Sequence, residues 1–309
     1  MWRTDGGWQE AVISVSHLDR WIEALSSIGG WETLHRRPIP PSVFMHWGLP
    51  LHARGEEAVM AHPEDRDRWV RLMQIDGTSH QSIRGSAQPW DTGGTFSLLI
   101  RTKDIEGVLR RATDMGWGSF NDIDLMAFEE HRNRNVVLRG PDGVCFGLYE
   151  SQNEPAPHDF CAPFTAQQMV RAIGPARDFY ADVLGWSPWY DGETRLAINQ
   201  FGMPINFKGK VPKKVAIMQA RPEIFGMVEL VQWEVFEGRD VADRAVPPNR
   251  GHLALRWPVA DLDAVLARAN KALGTSIVAQ KVDLAPFGTV RAAGFTTPDG
   301  ALIELVTPQ

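Results

Sequence analysis

The sequence predicts an α+β fold made of four βαβββ modules, and two observations lead to this prediction. Two Pro-Asp-Gly turns, at residues 141–143 and 298–300, lie 157 residues apart. The same offset places the segment EGVLRRATDMGW (106–117) on DAVLARANKALG (263–274), and both segments carry apolar residues at helical spacing. One offset that relates a helix and a distant turn indicates an internal repeat.

Weaker matches extend this repeat to the other two quarters of the chain. Trp31 follows a glycine pair and lies 155 residues before Trp186, which also follows a glycine. The segments VRLMQID (70–76) and VELVQWE (228–234) match at an offset of 158 residues. The chain therefore has the order A-B-A′-B′.

Each quarter has the same order of predicted elements. In the last quarter, residues 252–257 read as a strand, residues 261–273 as a helix, and three short strands follow between Gly, Pro and Asp turns. A sheet of four strands with one covering helix leaves its other face bare, so two modules must pair to cover or share that face. The concave surface between paired modules is a natural pocket.

A polar, proline-containing segment, SQNEPAPHDFCA (151–162), is typical of a linker between the two halves. We therefore predict an N-terminal domain at residues 1–152 and a C-terminal domain at residues 153–309, each with two modules and curved mixed sheets around a cleft. Pairing between modules of different halves is an alternative, and it would change which residues share a cleft.

The composition disfavours several classes of function. The net charge is −6 and the isoelectric point about 5.9, whereas nucleic-acid-binding domains carry a basic excess. No apolar run approaches the roughly 20 residues that cross a bilayer, and the first residues, MWRTDGGWQE, lack a signal-peptide pattern. Cys145 and Cys161 cannot form a disulfide framework. We expect a cytoplasmic monomer or homodimer that binds a small molecule, without nucleic-acid or membrane partners.

Three ionisable residues of the second half lie in apolar, strand-like runs: Glu229 in GMVELVQW, His252 in GHLALRW and Glu304 in DGALIELV. Such groups are costly to bury unless they are paired or bound to a cation. Because side chains alternate along a strand, His252 is expected on the face opposite to Leu253 and Leu255. Two carboxylates and an imidazole on one sheet face would form a site for a divalent cation with open positions.

These runs resemble the vicinal-oxygen-chelate superfamily, which includes glyoxalase I, drug-resistance proteins of the fosfomycin and bleomycin types, and type I extradiol dioxygenases. The passage from VELVQWE to GHLALRW is similar to glyoxalase I, where a Glu ends one module and a His opens the next. The ending TPDGALIELV resembles the last strand of that family, whose Glu binds metal. The resemblance implies glyoxalase-like domains and one divalent ion (Zn, Ni, Co, Mn or Fe) bound by Glu229, His252 and Glu304.

The resemblance places a fourth ligand on the first strand of the third module. Counting back without gaps reaches Thr165, whose neutral hydroxyl is a poor ligand. Gln167 shares the strand face of Thr165 and is our candidate, whereas Gln168 needs a different register. Alternatively, a water molecule could complete a site made of three residues.

The first half does not repeat these residue types. The positions equivalent to the four ligands are Glu10, Arg71, Thr95 and Gly147. This set cannot hold a metal as the C-terminal set could. We therefore predict a degenerate site in the N-terminal half and a structural role for its modules.

In this superfamily the metal accepts two neighbouring oxygens of the substrate and stabilises developing enolate charge. The resemblance thus implies an isomerase, epimerase or lyase that acts beside a carbonyl, with Glu229 and Glu304 as the catalytic groups that move a proton. An extradiol dioxygenase is the alternative, although its final Tyr is Phe295 here. A third interpretation is a non-catalytic binding protein of the bleomycin-resistance type.

Aromatic and basic residues suggest the nature of the substrate. Trp186, Trp233 and Trp257 lie near the predicted strands of the C-terminal cleft, and they would suit an aromatic or bulky apolar substrate. Arg291, in TVRAAGF, could hold a carboxylate. The run NFKGKVPKK (206–214) could steer an anionic substrate.

Overall fold

The chain forms four modules of the expected βαβββ order. The computed structural model describes residues 2–308 except residues 5, 129–130, 197–210 and 223–225. The first module contains β1 (Glu10–Ser14), α1 (Leu18–Gly29), β2 (Glu32–Pro38), α2 (Pro41–His46), β3 (Arg54–His62) and β4 (Asp65–Asp76). The second contains β5 (Ser97–Arg101), α3 (Ile105–Asp114), β6 (Gly118–Ser119), β7 (Asp124–Phe128), β8 (His131–Arg139) and β9 (Cys145–Ser151). The third contains β10 (Pro163–Met169), α4 (Ile173–Leu184), β11 (Ser187–Leu196), β12 (Val211–Gln219) and β13 (Met227–Trp233). The fourth contains β14 (Gly251–Pro258), α5 (Leu262–Leu273), β15 (Gln280–Asp283), β16 (Thr289–Thr296) and β17 (Leu302–Pro308).

The four modules form two curved sheets, and each sheet combines modules from both halves of the chain. Sheet one has the order β15-β16-β17-β14-β1-β4-β3-β2 and so joins the fourth module to the first. Sheet two has the order β11-β12-β13-β10-β5-β9-β8-β6, with β7 beside β8, and joins the third module to the second. Contrary to the main expectation, the two modules of one half do not share a sheet. The division of the chain at residues 152 and 153 stays a prediction.

The first and last strands of two modules form the centre of each sheet. In sheet one, β1 and β14 run antiparallel, with Glu10 opposite Arg256. In sheet two, β5 and β10 run antiparallel, with Ser97 opposite Gln167. Residues of these central strands that point to the concave face therefore meet across the module boundary, and a site built there takes side chains from both halves.

A single apolar core lies on the helix side of both sheets. Helix α1 packs against α3, and α4 packs against α5, so helices of the two sheets contact each other. The buried tryptophans Trp8, Trp21, Trp31 and Trp257 belong to this core. Strand side chains alternate between the two faces of a sheet. The residues of each strand that do not face the helices therefore line the opposite, concave face. Among the described helices, none is long and apolar enough to span a membrane.

Aspartate side chains cap the N-termini of α3 and α5, and a glycine ends α5. The carboxylate of Asp261 accepts a hydrogen bond from Ala264 N at 2.9 Å, and the carboxylate of Asp104 accepts one from Gly107 N at 2.9 Å. These contacts satisfy backbone donors that a helix start leaves free. Helix α5 ends at Gly274, whose φ of 64° lies in the left-handed region that favours glycine.

A β-bulge in β14 changes which face its first residues occupy. Val12 of β1 lies opposite Ala254, but the next residue, Ile13, lies opposite His252. Leu253 and Ala254 consequently both join the apolar cluster on the concave face of sheet one. Because a one-residue slip turns a strand side chain to the other face, His252 faces the core between the sheets.

Candidate functional site

The predicted metal ligands lie in three separate places. Gln167 and Glu229 are neighbours on β10 and β13, on the concave face of sheet two. Glu304 lies on β17, on the concave face of sheet one. His252 faces the core between the sheets. The expected convergence of these residues is wrong, because pairing across the halves separates β13 from β14 and β17.

His252 is a buried contact between the two sheets. Its Nε2 lies 2.8 Å from the carbonyl oxygen of Cys145 on β9. Its ring meets the ring of Phe146 edge to face, with 6.0 Å between centroids. Burial lowers the pKa of His252 to about 4, so the imidazole is neutral at neutral pH.

We expect His252 to stay neutral when other histidines titrate. Its pKa of about 4 lies below the ordinary value of 6.5, so the unfolded chain takes up this proton first. Folding stability should therefore fall as the pH drops from 6.5 towards 4. In a ¹⁵N-histidine spectrum, the signals lost in His252→Gln should not titrate between about pH 8 and about pH 5. A midpoint near 6.5 for these signals would contradict the buried placement.

The concave face of sheet one contains a closed network of buried ion pairs. Arg71 donates to both carboxylate oxygens of Glu10, from Nε at 2.9 Å and from Nη2 at 3.0 Å. Arg256 donates from Nε to Glu304 Oε2 at 2.6 Å and from Nη1 to Glu10. Arg71 also lies 3.0 Å from Glu57. These five side chains are 0 or 1% exposed, so their charges are screened little by water.

Glu304 is fully satisfied by this network. Its second oxygen accepts a hydrogen bond from Trp47 Nε1 at 2.6 Å and lies 2.9 Å from His46 Nε2. Although burial acts to raise the pKa of Glu304, the charge of Arg256 and the bonds from His46 and Trp47 hold it well below the ordinary value. Both oxygens of this carboxylate are thus engaged by hydrogen-bond donors that favour its ionised form.

The concave face of sheet two carries a much looser charged pair. Oε1 of Glu229 lies 4.0 Å from Nζ of Lys213 on β12, and the two side chains are 10% and 5% exposed. Glu229 also has a side-chain hydrogen bond with Gln167. The Oε1 of Gln167 accepts from the hydroxyl of Ser97 at 3.3 Å. Gln167 is therefore oriented from one side and donates to Glu229 on the other.

Burial dominates the ionisation of this pair. Burial raises the pKa of Glu229, and this outweighs the charge of Lys213 and the hydrogen bond from Gln167. Burial lowers the pKa of Lys213, against the attraction of Glu229. Burial and the charge of Glu229 also raise the pKa of Tyr149 on β9. Opposite shifts of a carboxyl and an ammonium towards neutrality are typical of acid–base sites.

The three residues considered as a fourth ligand occupy different environments. Thr165 lies on the Glu229 face of β10, and its hydroxyl has no hydrogen-bond partner in the described part of the chain. Gln168 points to the opposite face, where its Oε1 accepts from the hydroxyl of Tyr180 at 2.8 Å. Of the three, Gln167 is the one paired with Glu229 across the strands.

One of the four residues expected to bind substrate lies on this face. Trp233 belongs to the apolar cluster on the concave side of sheet two. Trp186 and Trp257 instead stack in the core on the helix side, with 4.8 Å between ring centroids. Arg291 pairs with the exposed Asp263 at 2.7 Å. The expected cleft positions of Trp186, Trp257 and Arg291 are therefore wrong.

Sequence reasoning did not single out Lys213 from the lysine run around it. The signal was strand alternation, since Val211, Lys213 and Val215 share one face of β12 and all are buried. A lysine between buried valines on one strand face is an inward-pointing cation rather than part of a solvated loop. Lys208 and Lys210 of the same run lie outside the described residues.

Solved structures with this architecture include glyoxalase I from Zea mays, with a TM-score of 0.65 and 17% sequence identity over 98% of this chain and 92% of that chain. A candidate dioxygenase from Bacillus subtilis subsp. subtilis str. 168 has a TM-score of 0.57 and 11% identity over 100% of this chain and 86% of that chain. No family model and no curated protein matches the sequence. The chain therefore shares the fold of these structures, with four modules in one chain, and the resemblance seen in the sequence is confirmed at the level of the fold. At such low identity, the likeness defines the fold and leaves the reaction to be argued from the site.

Proposed function

We propose that the protein is an isomerase or epimerase that moves a proton beside the carbonyl group of a small molecule. Its active site is the cleft on the concave face of sheet two. In this proposal Glu229 removes and returns the proton, and Lys213 stabilises negative charge on the carbonyl oxygen. Gln167 is a positioning residue that holds the Glu229 carboxylate.

The observation that carries the proposal is the contrast between Glu229 and Glu304. Both are the third residue of the last strand of a module, and both are buried on a concave face. Glu304 accepts a hydrogen bond from Nε of Arg256 at 2.6 Å, and its pKa is lowered although burial acts to raise it. Glu229 has Lys213 at 4.0 Å and its pKa is raised by burial. Two equivalent carboxylates whose environments push their pKa values apart have different roles, and Glu229, whose pKa is raised, is the one suited to accept a proton.

The arrangement supports a simple sequence of proton and electron movements. The ionised Glu229 takes the proton from the carbon beside the carbonyl, and the C–H electron pair forms the C=C bond of an enolate. The carbonyl oxygen gains the negative charge and lies against the ammonium of Lys213. In an epimerisation, the enolate turns beside Glu229, which returns the proton to the other face of the same carbon and so restores the carbonyl group. In the isomerisation of a hydroxy ketone, Glu229 delivers the proton to the former carbonyl carbon, while the α-hydroxyl proton passes to the enolate oxygen and a new carbonyl group forms. The low exposure of both side chains strengthens their electrostatic effect on the enolate.

A resident divalent metal, which the family resemblance implied, does not fit the described residues. On sheet one, two arginines already neutralise the carboxylates at the equivalent positions. On sheet two, Glu229 and Gln167 supply oxygen donors, but the ammonium of Lys213 competes for the same carboxylate. Within the described ranges, no group of three or more His, Cys, Asp or Glu residues could hold a metal ion. The two histidines and one glutamate of the extradiol pattern are likewise not brought together, because His252 lies in the core.

We expect purified protein to contain far less than one divalent ion per chain, also after incubation with Zn, Ni, Co, Mn or Fe and removal of the excess. The reason is that Lys213 and the arginines of sheet one supply the positive charge at the carboxylates. Elemental mass spectrometry of the parent and of Glu229→Gln measures this content. About one ion per parent chain, lost in Glu229→Gln, would contradict the proposed chemistry and restore the metal-dependent hypothesis.

A non-catalytic binding protein is the second candidate, and the poor fit of a metal favours it. Exchange of the methylene protons of 2-hydroxyacetophenone in D₂O, followed by proton NMR, separates the two candidates. Exchange faster than in buffer supports the isomerase. Saturable binding of this probe without faster exchange supports the binding protein and contradicts the proposed catalytic role of Glu229.

A further inference from the structure

The concave face of sheet two continues from the Glu229 pair into an aromatic region. Trp233 follows Glu229 on the same face of β13, and Nζ of Lys213 lies 5.7 Å from the centroid of its ring. Trp233 shares an apolar cluster with Phe96 and with the half-buried Phe120. Phe96 and Phe120 have ring centroids 6.1 Å apart. Phe96 is 1% exposed, so the half-buried Phe120 is the ring of this pair that a planar apolar group could reach.

Two arginines lie on the rings at the end of this surface. The guanidinium of Arg84 lies 5.1 Å from the centroid of Phe96, and that of Arg139 lies 5.4 Å from the centroid of Phe120. Arg84 comes from the segment between the first two modules and is 4% exposed. Arg139 is half-buried at the end of β8, two residues after the buried Val137.

Neither guanidinium has an acidic partner in the described part of the chain. Arg84 donates to backbone carbonyls, from Nη1 to Gly93 at 2.8 Å and from Nη2 to Asp91 at 2.6 Å, and its Nε has no partner. The carboxylate of Asp91 is taken by Arg239 at 3.0 Å. Arg139 donates from Nη2 to a backbone carbonyl, that of Gly85. Burial lowers the pKa of Arg84 to about 10.

Arg84 is a buried cation whose nearest carboxylate, that of Asp91, attracts it by charge but bonds to Arg239, so a bound anion would add favourable charge at this site. Arg84 is too enclosed to reach a ligand with its Nε, and it acts through its charge from behind the surface. Arg139 is the more accessible of the two and presents a planar guanidinium, which matches a carboxylate. The backbone bonds hold both groups in place before a ligand arrives, so little side-chain entropy is lost on binding.

We infer that Arg84, Arg139, Phe96 and Phe120 form an anion subsite of the sheet-two cleft, and that the substrate is a planar, apolar carboxylate. This inference rests on the proposed function, because it places the reactive carbonyl at Glu229 and Lys213 and the carboxylate at the arginines. In this inference, Arg84 and Arg139 give the cleft its preference for an anionic substrate.

The test uses the full-length protein and two probes of equal shape, benzoate and its neutral analogue benzamide, in ligand-observed NMR titrations. Benzoate should bind at least about tenfold more tightly than benzamide, since a hydrogen bond to a charged group contributes about that factor. Arg139→Gln should remove this preference and leave benzamide binding unchanged. Arg132→Gln, an exposed arginine on the same strand, is the matched control and should have no effect.

Equal affinity for the two probes, absence of binding of either probe, or an unchanged benzoate preference in Arg139→Gln would overturn the subsite. Circular dichroism of Arg139→Gln shows whether it is folded, and Arg139→Lys gives a second variant that keeps the charge but not the planar fork. Glu229→Gln should bind benzoate at least as tightly as the parent. If Glu229→Gln abolishes proton exchange while the arginine variants leave benzoate binding unchanged, the subsite fails and the proposed function stands. If the arginine variants weaken benzoate binding and Glu229→Gln leaves exchange unchanged, the proposed function fails.

Discussion

Arg256→Met should destabilise the protein by about 3–5 kcal/mol, the range observed when one partner of a buried ion pair is removed. Arg256 contacts both Glu304 and Glu10, and all three side chains are 0 or 1% exposed. Without it, Glu304 loses its guanidinium partner and Glu10 keeps only Arg71, in a region that is almost closed to water. Urea unfolding followed by circular dichroism measures the loss. If the variant does not fold, Arg256→Met combined with Glu304→Leu should restore folding, since Arg71 still pairs with Glu10.

Arg291→Met is the matched control for this substitution. Arg291 lies on β16, in the same sheet, but it pairs on the surface with an exposed aspartate. Exposed ion pairs contribute about 0–1 kcal/mol, so this variant should stay close to the parent. A loss below about 1 kcal/mol in Arg256→Met would contradict the assignment of these residues as a tightly coupled, buried ion-pair network.

Glu229→Gln should lower the rate of proton exchange by about 10²–10⁴-fold, the usual contribution of a positioned acid–base group. The substitution keeps the shape of the side chain but removes its ability to accept the proton. It should not destabilise the fold at neutral pH. Because the pKa of Glu229 is raised above its unfolded value of 4.5, the charged form is disfavoured in the folded state, and stability falls as the pH rises through this range. Exchange kinetics and thermal unfolding at neutral pH measure the two effects.

Glu234→Gln is the control for the catalytic substitution. Glu234 follows β13 directly, and it pairs at 3.2 Å with Lys214 in a more exposed position than Glu229. Its replacement should leave the exchange rate unchanged. A Glu229→Gln variant that is less stable than the parent and equally active would identify Glu229 as a structural residue and contradict the proposed function.

The module order was predictable from the sequence because it depends on local patterns. The helix caps Asp104 and Asp261 repeat at the offset of 157 residues, and Gly274 ends α5, so local chemistry defines these elements independently of their packing. Module pairing was not predictable, because each module presents a similar bare face to any of the others. The choice is made by long-range contacts such as Glu10 with Arg256, which lie 246 residues apart.

The candidate site was predictable in part, for the same reason. Glu229 and Gln167 share one module, so strand alternation places them on one face, as the structure has them. The predicted face of His252 was wrong because a bulge at Leu253 turns His252 to the other face of the sheet. No residue pattern in the sequence predicts that bulge. Arg256 pairs with Glu304 of its own module, but its second partner, Glu10, comes from the first module and could not be inferred from local pattern.

The most direct test of the central claim is a carbon-13 NMR titration of the side-chain carboxyls in protein labelled at glutamate. We expect one carboxyl to titrate above the ordinary value of 4.5, and its signal should be missing in Glu229→Gln and retained in Glu234→Gln. We also expect that the Glu304 carboxyl stays ionised well below that value. If every glutamate titrates at or below 4.5, or if the raised signal survives in Glu229→Gln, the assignment of sheet two as the working cleft is contradicted.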